Sequence, residues 1–494
     1  MTATDVTLPS MNTETPTEAP PSGVTGGRAT VALLVVLFAS FMDLLDVTIV
    51  TVAAPSIGRD LHASEAQLQW MLAGYTLALG SGLITGGRIG DDYGRRKVFL
   101  IGLAGFALAS AACALAPSAG ALIAMRVLQG LAGGFMVPQV FGIIRSSFAP
   151  AAMARAFGAY GAVQGLAAVA GPLLGGALVD ADLWGLAWRT IFWVNVPVAV
   201  VALVLGARVL PESTASRRER LDVVGAVLSA LAIALILLPL VQGRDWGWPW
   251  WGWALLAAGV ALLVSFVLYE RGLASRGGLP VLDPGLLRIR TFSAGLAASV
   301  LFFGALGSFF LVLSLYLQAG THRSAWDTGL VILPYAIGSM VTSGMGVQLA
   351  AKAGRALLVT GSLVLAASQG MLWLLVRDGG HPGYWPLAAA LFLGGLGLGL
   401  GAPILVNVVL AGVPGRHAGA AGGALSTVNQ IGGAVGVAVL GTVFFDALTP
   451  SPSPTDYGSA LATVMPWQVA AYVAAALLML TLPRTTTPHK AVTD

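Results

Sequence analysis

Two carboxylates, Asp43 and Asp46, stand in FMDLLDVTIVTVAAP, residues 41–55, inside a run otherwise apolar from Ala29 to Ala54. A guanidinium, Arg126, stands inside another apolar run. Ionisable side chains at such positions are costly and mark paths of ions or substrates, normally with a partner of opposite charge. In a helix the two aspartates share nearly one face. If that helix starts to cross near Val31, a rise of 1.5 Å per residue puts Asp43 about 18 Å and Asp46 about 22 Å from the starting side. Arg126, about seven residues into a helix running the other way, lies about 10 Å from the far side. In a hydrocarbon core about 30 Å thick these depths nearly coincide, so Arg126 can meet Asp46. The chemistry this allows is proton exchange. A carboxylate titrates near pH 3.9 in water, desolvation or a second carboxylate favours its neutral form, and an arginine favours its charged form. Held between these influences it can take a proton from one side and release it to the other, while Arg126 stays charged and stabilises the deprotonated state. The plain alternative is a static polar pair that locks two helices together.

The elements that must position these residues follow from composition. Of 494 residues 56% are hydrophobic and only 10% charged, too little polar surface to cover a soluble particle. The sequence predicts an all-α polytopic membrane protein with fourteen transmembrane helices, since fourteen apolar stretches recur along the chain and most exceed the roughly 18 residues that mark a span. Among them are 29–56, 70–87, 223–242, 328–350 and 356–376. Residues 1–27 are rich in Thr, Pro and Glu, without a basic start or an apolar segment, and read as a disordered tail with no cleaved signal. With both ends in the cytoplasm, twenty of the 26 Lys and Arg fall on the cytoplasmic side, five outside, and Arg126 within a helix, as the positive-inside rule requires. WGWPWWGW, residues 246–253, reads as an interfacial aromatic belt beside an external loop. The single cysteine, Cys113, excludes an intramolecular disulfide and reads as a small buried hydrophobe.

The chain also repeats. RAFGAYGAVQGLAAVAGPLLGG (155–176) aligns with RHAGAAGGALSTVNQIGGAVGV (416–437) at an offset of 261, and GRIGDDYGRR (87–96) with VQLAAKAGRA (347–356) at 260, with Tyr75 upstream on Tyr335. Two six-helix pseudo-repeats plus two inserted helices account for fourteen. The expected division is a tail over 1–28, a six-helix bundle over 29–212, a linker over 213–222 and two additional helices over 223–270. A second linker over 271–291, a six-helix bundle over 292–483 and a tail over 484–494 complete it.

At this point the residues carry a family resemblance. GRIGDDYGRRKVFLIG (87–102) resembles the signature between helices 2 and 3 of the major facilitator superfamily. MRVLQGLAGG (125–134) resembles the Arg-bearing helix-4 motif of its proton-driven members, and AGPLLGG (170–176) the helix-5 antiporter motif. LDVTIVTVAAP (45–55) and WRTIFWVNVP (188–197) are similar to segments of the fourteen-helix drug:proton antiporter family. The resemblance covers all but the tails. It implies that Asp46, inside the LDVTIV match, couples protons to transport with Arg126, and leaves Asp43 as a second proton or cation site. It implies a cytoplasmic latch for Gly87, Asp91, Gly94 and Arg95, with Asp92 standing where the family usually has a basic residue and Ala351 replacing the acid in the second half. It also implies a hinge or seal at Gly171, Pro172, Gly175 and Gly176, although Ala167 replaces the motif's leading glycine. Residue chemistry agrees: Gly94 allows a turn, Asp91 can pair with Arg95, and Pro172 with its glycines gives a helix lacking one hydrogen bond and flat on one side.

No acidic residue stands in the interior of the later helices, where Gln318, Gln348, Gln369, Asn407, Asn429 and Gln430 are the polar candidates and read first as helix-packing hydrogen bonders. No phosphate-binding GK[ST] loop is present, and His62, His322, His381, His417 and His489 lack metal-ligand spacing, so neither ATP, a metal nor a cofactor is expected. The expected protein is not an enzyme. It is a bacterial plasma-membrane antiporter, exporting an amphiphilic drug, dye or endogenous antibiotic, with some bias toward cations, against protons and by alternating access. Its partners are protons, substrate and lipid, without nucleic acid, and one chain is expected to suffice. The competing readings are a proton-coupled nutrient importer and a non-transporting membrane sensor.

Overall fold

The structure is a computed structural model that describes residues 27–148, 150–214, 222–243, 245–276, 278, 280, 285–377, 382–411, 413, 418–449 and 452–482. Both expected tails, all but two residues of the first, lie outside this set, as do Arg217, Arg218 and Arg220 of the linker, Arg244, His381, Arg416, His417 and His489. The side chains of Gln348 and Asn407 are outside it too.

The described chain is helical, and no strand occurs among its described residues. Helix α1, Gly27–Asp60, starts two residues before the expected end of the tail. Helix α2 covers Glu65–Tyr93, longer than its apolar run because Ser64 opens it with a capping box. The Gln67 amide donates to Ser64 Oγ at 3.3 Å and the Ser64 amide to Gln67 Oε1 at 2.9 Å. Gly94, at φ 107°, takes a conformation that other residues resist and separates α2 from α3, Arg95–Ala114. Helices α4, Ala119–Ser147, and α5, Pro150–Asp180, follow, then a short α6, Thr190–Trp193, continued by α7, Asn195–Val209. Helices α8, Val223–Gln242, and α9, Trp250–Ser275, form a hairpin. Helix α10, Arg290–Leu315, ends in a π-helical turn, Tyr316–Gly320. The runs expected at 328–350 and 356–376 are one helical path, α11, Ala325–Val376, in which Ala353 (φ −136°, ψ 24°) marks the break. Helices α12, Tyr384–Ala411, α13, Ala418–Asp446, and α14, Pro454–Met479, complete the chain. Among the described residues eleven helical stretches are long and apolar enough to cross a membrane.

Small residues set the closest packings, as expected where lipid removes the hydrophobic drive between helices. A Cβ on Gly82 would stand 3.0 Å from Gly134 Cα where α2 crosses α4. One on Gly307 would stand 2.8 Å from the Gly433 carbonyl where α10 crosses α13. The α8–α9 hairpin is peripheral, with only 22% and 17% of its two apolar windows buried, and it leans on α2 and α13 through α8. At its tip Trp250 and Trp253 are exposed and Trp246 packs against Trp251 at 4.5 Å between ring centroids. The end of the bundle carrying Asp60 joins early helices to late ones. Asp180, closing α5, accepts from the Ala325 and Trp326 amides that open α11, at 3.2 and 3.0 Å, and Gln318 Nε2 donates to the Val52 carbonyl at 2.7 Å.

Candidate functional site

Helices α1, α3, α4 and α7 converge on Asp46, which is fully buried. Arg126 Nη1 on α4 forms an ion pair with Asp46 Oδ2. The other oxygen, Oδ1, accepts from Gln129 Nε2 at 2.8 Å and from Asn195 Nδ2 at 3.0 Å. Arg126 also donates to Gln129 Oε1 at 2.8 Å and to the Met71 carbonyl at 3.2 Å. Its guanidinium lies 4.0 Å from the Tyr75 ring centroid, a cation–π contact from α2. A buried charge is tolerated only when paired and bonded in this way. Cys113 packs on the same cluster, its Sγ 3.7 Å from Gln129 Oε1.

Asp43 lies one turn away and is treated differently. It accepts a single hydrogen bond among the described residues, from the Tyr75 hydroxyl at 2.7 Å, and makes no ion pair with Arg126. Tyr75 thus touches both carboxylate systems, through its hydroxyl on Asp43 and its ring on Arg126. The expected meeting of Arg126 with Asp46 is present, and the two aspartates have separate partners.

The remaining sequence-derived sites lie apart from this cluster. Asp91 and Arg95 pair at 2.7 Å, and Arg95 lies across Gly142 of α4. Gly94 faces Glu212, beyond the end of α7, whose Oε1 accepts from the Arg96 amide at 3.1 Å. In α5 a Cβ on Gly171 would collide with Thr48 of α1, one on Gly175 would meet Ile49 at 2.9 Å, and one on Gly176 would collide with the Ala325 carbonyl. Pro172 offers its carbonyl face to Gly329 of α11. The antiporter-like motif therefore fills the junction of α1, α5 and α11.

Comparisons with known proteins bear on this arrangement. A family profile described as Major Facilitator Superfamily matches residues 36–220 and 212–437. The chain belongs to that superfamily. It is 42% identical over 440 residues to a probable actinorhodin transporter of Streptomyces coelicolor, covering 87% of this chain and 75% of the relative. Identity to the tetracenomycin C resistance and export protein of Streptomyces glaucescens is 38% (88% and 80% covered), and to the multidrug efflux pump LfrA of Mycolicibacterium smegmatis 34% (84% and 81%). A solved bacterial homologue of the human drug peptide transporters PepT1 and PepT2 superposes with a TM-score of 0.64 at 14% identity, over 91% of this chain and 97% of that one, which speaks for the fold alone. The motif resemblance to drug:proton antiporters agrees with these relatives, which are transporters of antibiotics and drugs.

Within the superfamily frame, the site holds residues that sequence reasoning passed over. Gln129 and Asn195 bond directly to Asp46, and both stand inside motifs already singled out, MRVLQGLAGG and WRTIFWVNVP. The available signal was their polarity within apolar runs. Of the later amides, Gln318 bonds across to α1, while Gln369 is buried with neither side-chain atom hydrogen-bonded.

Proposed function

We propose that this superfamily member exports an amphiphilic, antibiotic-like molecule from a bacterial cell in exchange for protons. The chain crosses the plasma membrane fourteen times, with both ends and the Asp91 loop in the cytoplasm and the Asp60 end outside. Two six-helix halves alternate around a central site, and one chain is the working unit. Reciprocal packing supports the two-half reading: α5 of the first half lies on α11, and α2 lies on α13. The Asp180 and Gln318 bonds draw the halves together at the outer end, as in a state closed to the outside.

The observation that carries the proposal is the buried Asp46–Arg126 pair with Asp43 beside it on the Tyr75 hydroxyl. Both Asp46 oxygens are occupied by donors, so a proton added there displaces a bond; Asp43 has one partner, and a proton or a cationic substrate can be added with less rearrangement. In this division of labour Asp46 and Arg126 hold the charge balance and Asp43 carries the exchangeable charge. The latch role of Gly87, Asp91, Gly94 and Arg95 and the sealing role of Gly171, Pro172, Gly175 and Gly176 belong to the same reading. Its test is efflux of ethidium and of a panel of antibiotics from cells lacking their own pumps, with and without a protonophore. Wild type must export at least one compound and stop with the protonophore, Asp43→Asn must lose export at normal membrane abundance, and Arg126→Ala must lose export per molecule that reaches the membrane. Export that survives the protonophore, or survives both substitutions, rejects proton coupling at this cluster.

A further inference from the structure

We infer that Asn195, held by Ser110, is a positioning residue that fixes the Asp46 carboxylate; the inference rests on the coupling role proposed for that cluster. Ser110 Oγ, fully buried on α3, donates its only proton to the Phe192 carbonyl at 2.9 Å. Toward Asn195 it can then only accept, and it does so from Asn195 Nδ2 at 3.1 Å. The amide is thereby turned with its NH2 group inward, and the second N–H points at Asp46 Oδ1, 3.0 Å away. The reverse rotamer would set an amide oxygen against a carboxylate oxygen and leave Ser110 without its donor. Asn195 also opens α7 directly after the turn at Val194, so the bond ties α7 to α1 at the carboxylate itself.

The test needs neither substrate nor transport, so it stands apart from the export assay. Cys113 is fully buried on the same cluster and is the only thiol in the chain. Its labelling rate by a maleimide on the full chain in detergent reads local opening. Rates are compared with wild type at one fixed pH. Losing the Asn195 bond to the charged carboxylate raises the open population roughly tenfold, so Asn195→Ala is expected to label about tenfold faster, and Ser110→Ala, which loses two bonds to neutral partners, is expected to label at least several-fold faster. Ser110→Thr, which keeps the hydroxyl, is expected to label at the wild-type rate. In an Asp46→Ala background, which removes both acceptor oxygens, Asn195→Ala is expected to add less than a factor of about two, because its target is gone. A full tenfold effect of Asn195→Ala retained in Asp46→Ala makes Asn195 a packing residue only and overturns the inference.

Discussion

Substituting each aspartate by its isosteric amide separates the two roles, and the magnitudes come from counting donors. Asp46 receives Arg126 on Oδ2 and both Gln129 and Asn195 on Oδ1. In Asp46→Asn one of those positions becomes an NH2 group. Placed at Oδ1 it faces two amide donors; placed at Oδ2 it faces the guanidinium. Either choice leaves Arg126, only 1% exposed, as a buried charge with neutral partners. Removing one member of a buried pair costs about 3–5 kcal/mol, so this variant is expected to lose most of the margin of the first helical group. Among the described residues Asp43 accepts only from the Tyr75 hydroxyl, at 2.7 Å, and an amide oxygen can accept the same bond. Asp43→Asn is therefore expected to cost about 1 kcal/mol or less. Thermal unfolding followed by maleimide labelling of Cys113 measures both variants. The double substitution Asp46→Asn with Arg126→Gln, which removes the stranded charge, is expected to recover much of the single-variant loss. Equal destabilisation by the two asparagines, or no recovery in the double variant, would refute the division of labour between a fixed and an exchangeable carboxylate.

The other expectations are briefer. Asp180→Ala removes the two bonds that dock α5 on the start of α11, worth about 1–2 kcal/mol together. A cysteine at Gln318 in a Cys113→Ser background is then expected to label faster from outside, and an unchanged rate would show that the clasp does not hold that end closed. Asp91→Ala breaks a half-exposed ion pair, so the melting temperature is expected to hold within the scatter of a pair worth about 0–1 kcal/mol, while efflux falls if the loop is a latch. Gly176→Val drives a branched side chain into the Ala325–Trp326 backbone and is expected to abolish export with reduced abundance, readable by efflux and immunoblot.

How far the sequence reaches is clearest residue by residue. Depth arithmetic alone placed Arg126 opposite Asp46, because a helix converts residue number into height with little error. The Gly94 turn and the Asp91–Arg95 pair follow equally from local chemistry. Partners on other helices are a different matter. That Asn195 of α7 meets Asp46 depends on the rotation of three helices about their axes, and the helices here are apolar on nearly every face, so no periodicity in the sequence fixes it. The same reason hid Glu212 behind Gly94 and the Gln318 bond to α1. The break at Ala353 was expected as a loop because the flanking apolar runs stop; helical geometry continues almost to that residue, since polar residues at a membrane surface do not by themselves end a helix.

A charge change at α1 can be felt at the Asp60 end of the bundle through α5. Thr48 stands two residues beyond Asp46 and meets Gly171 of α5, while its hydroxyl bonds back to the Leu44 and Leu45 carbonyls, both at 3.1 Å. Ile49 fills the space over Gly175, and nine residues on from Gly171 the same helix ends in Asp180, on the amides of α11. Helix α5 thus has the carboxylate helix against its middle and the Asp180 clasp at its tip. Gly171→Ala places a methyl group 2.6 Å from Thr48 Cβ, forcing the hydroxyl off its carbonyls and the two helices apart. Overpacking of this kind costs about 1–3 kcal/mol, enough to bias an equilibrium between two packings without unfolding either. The variant is expected to stay abundant and to bind ethidium while exporting it more slowly. It is also expected to label faster than its parent at a cysteine placed at Gln318, in the Cys113→Ser background. If Gly171→Ala exports at the wild-type rate, or is slow with labelling at Gln318 unchanged, the glycine contact does not link the charge site to the clasp, and the link must be sought through α2 and α13 instead.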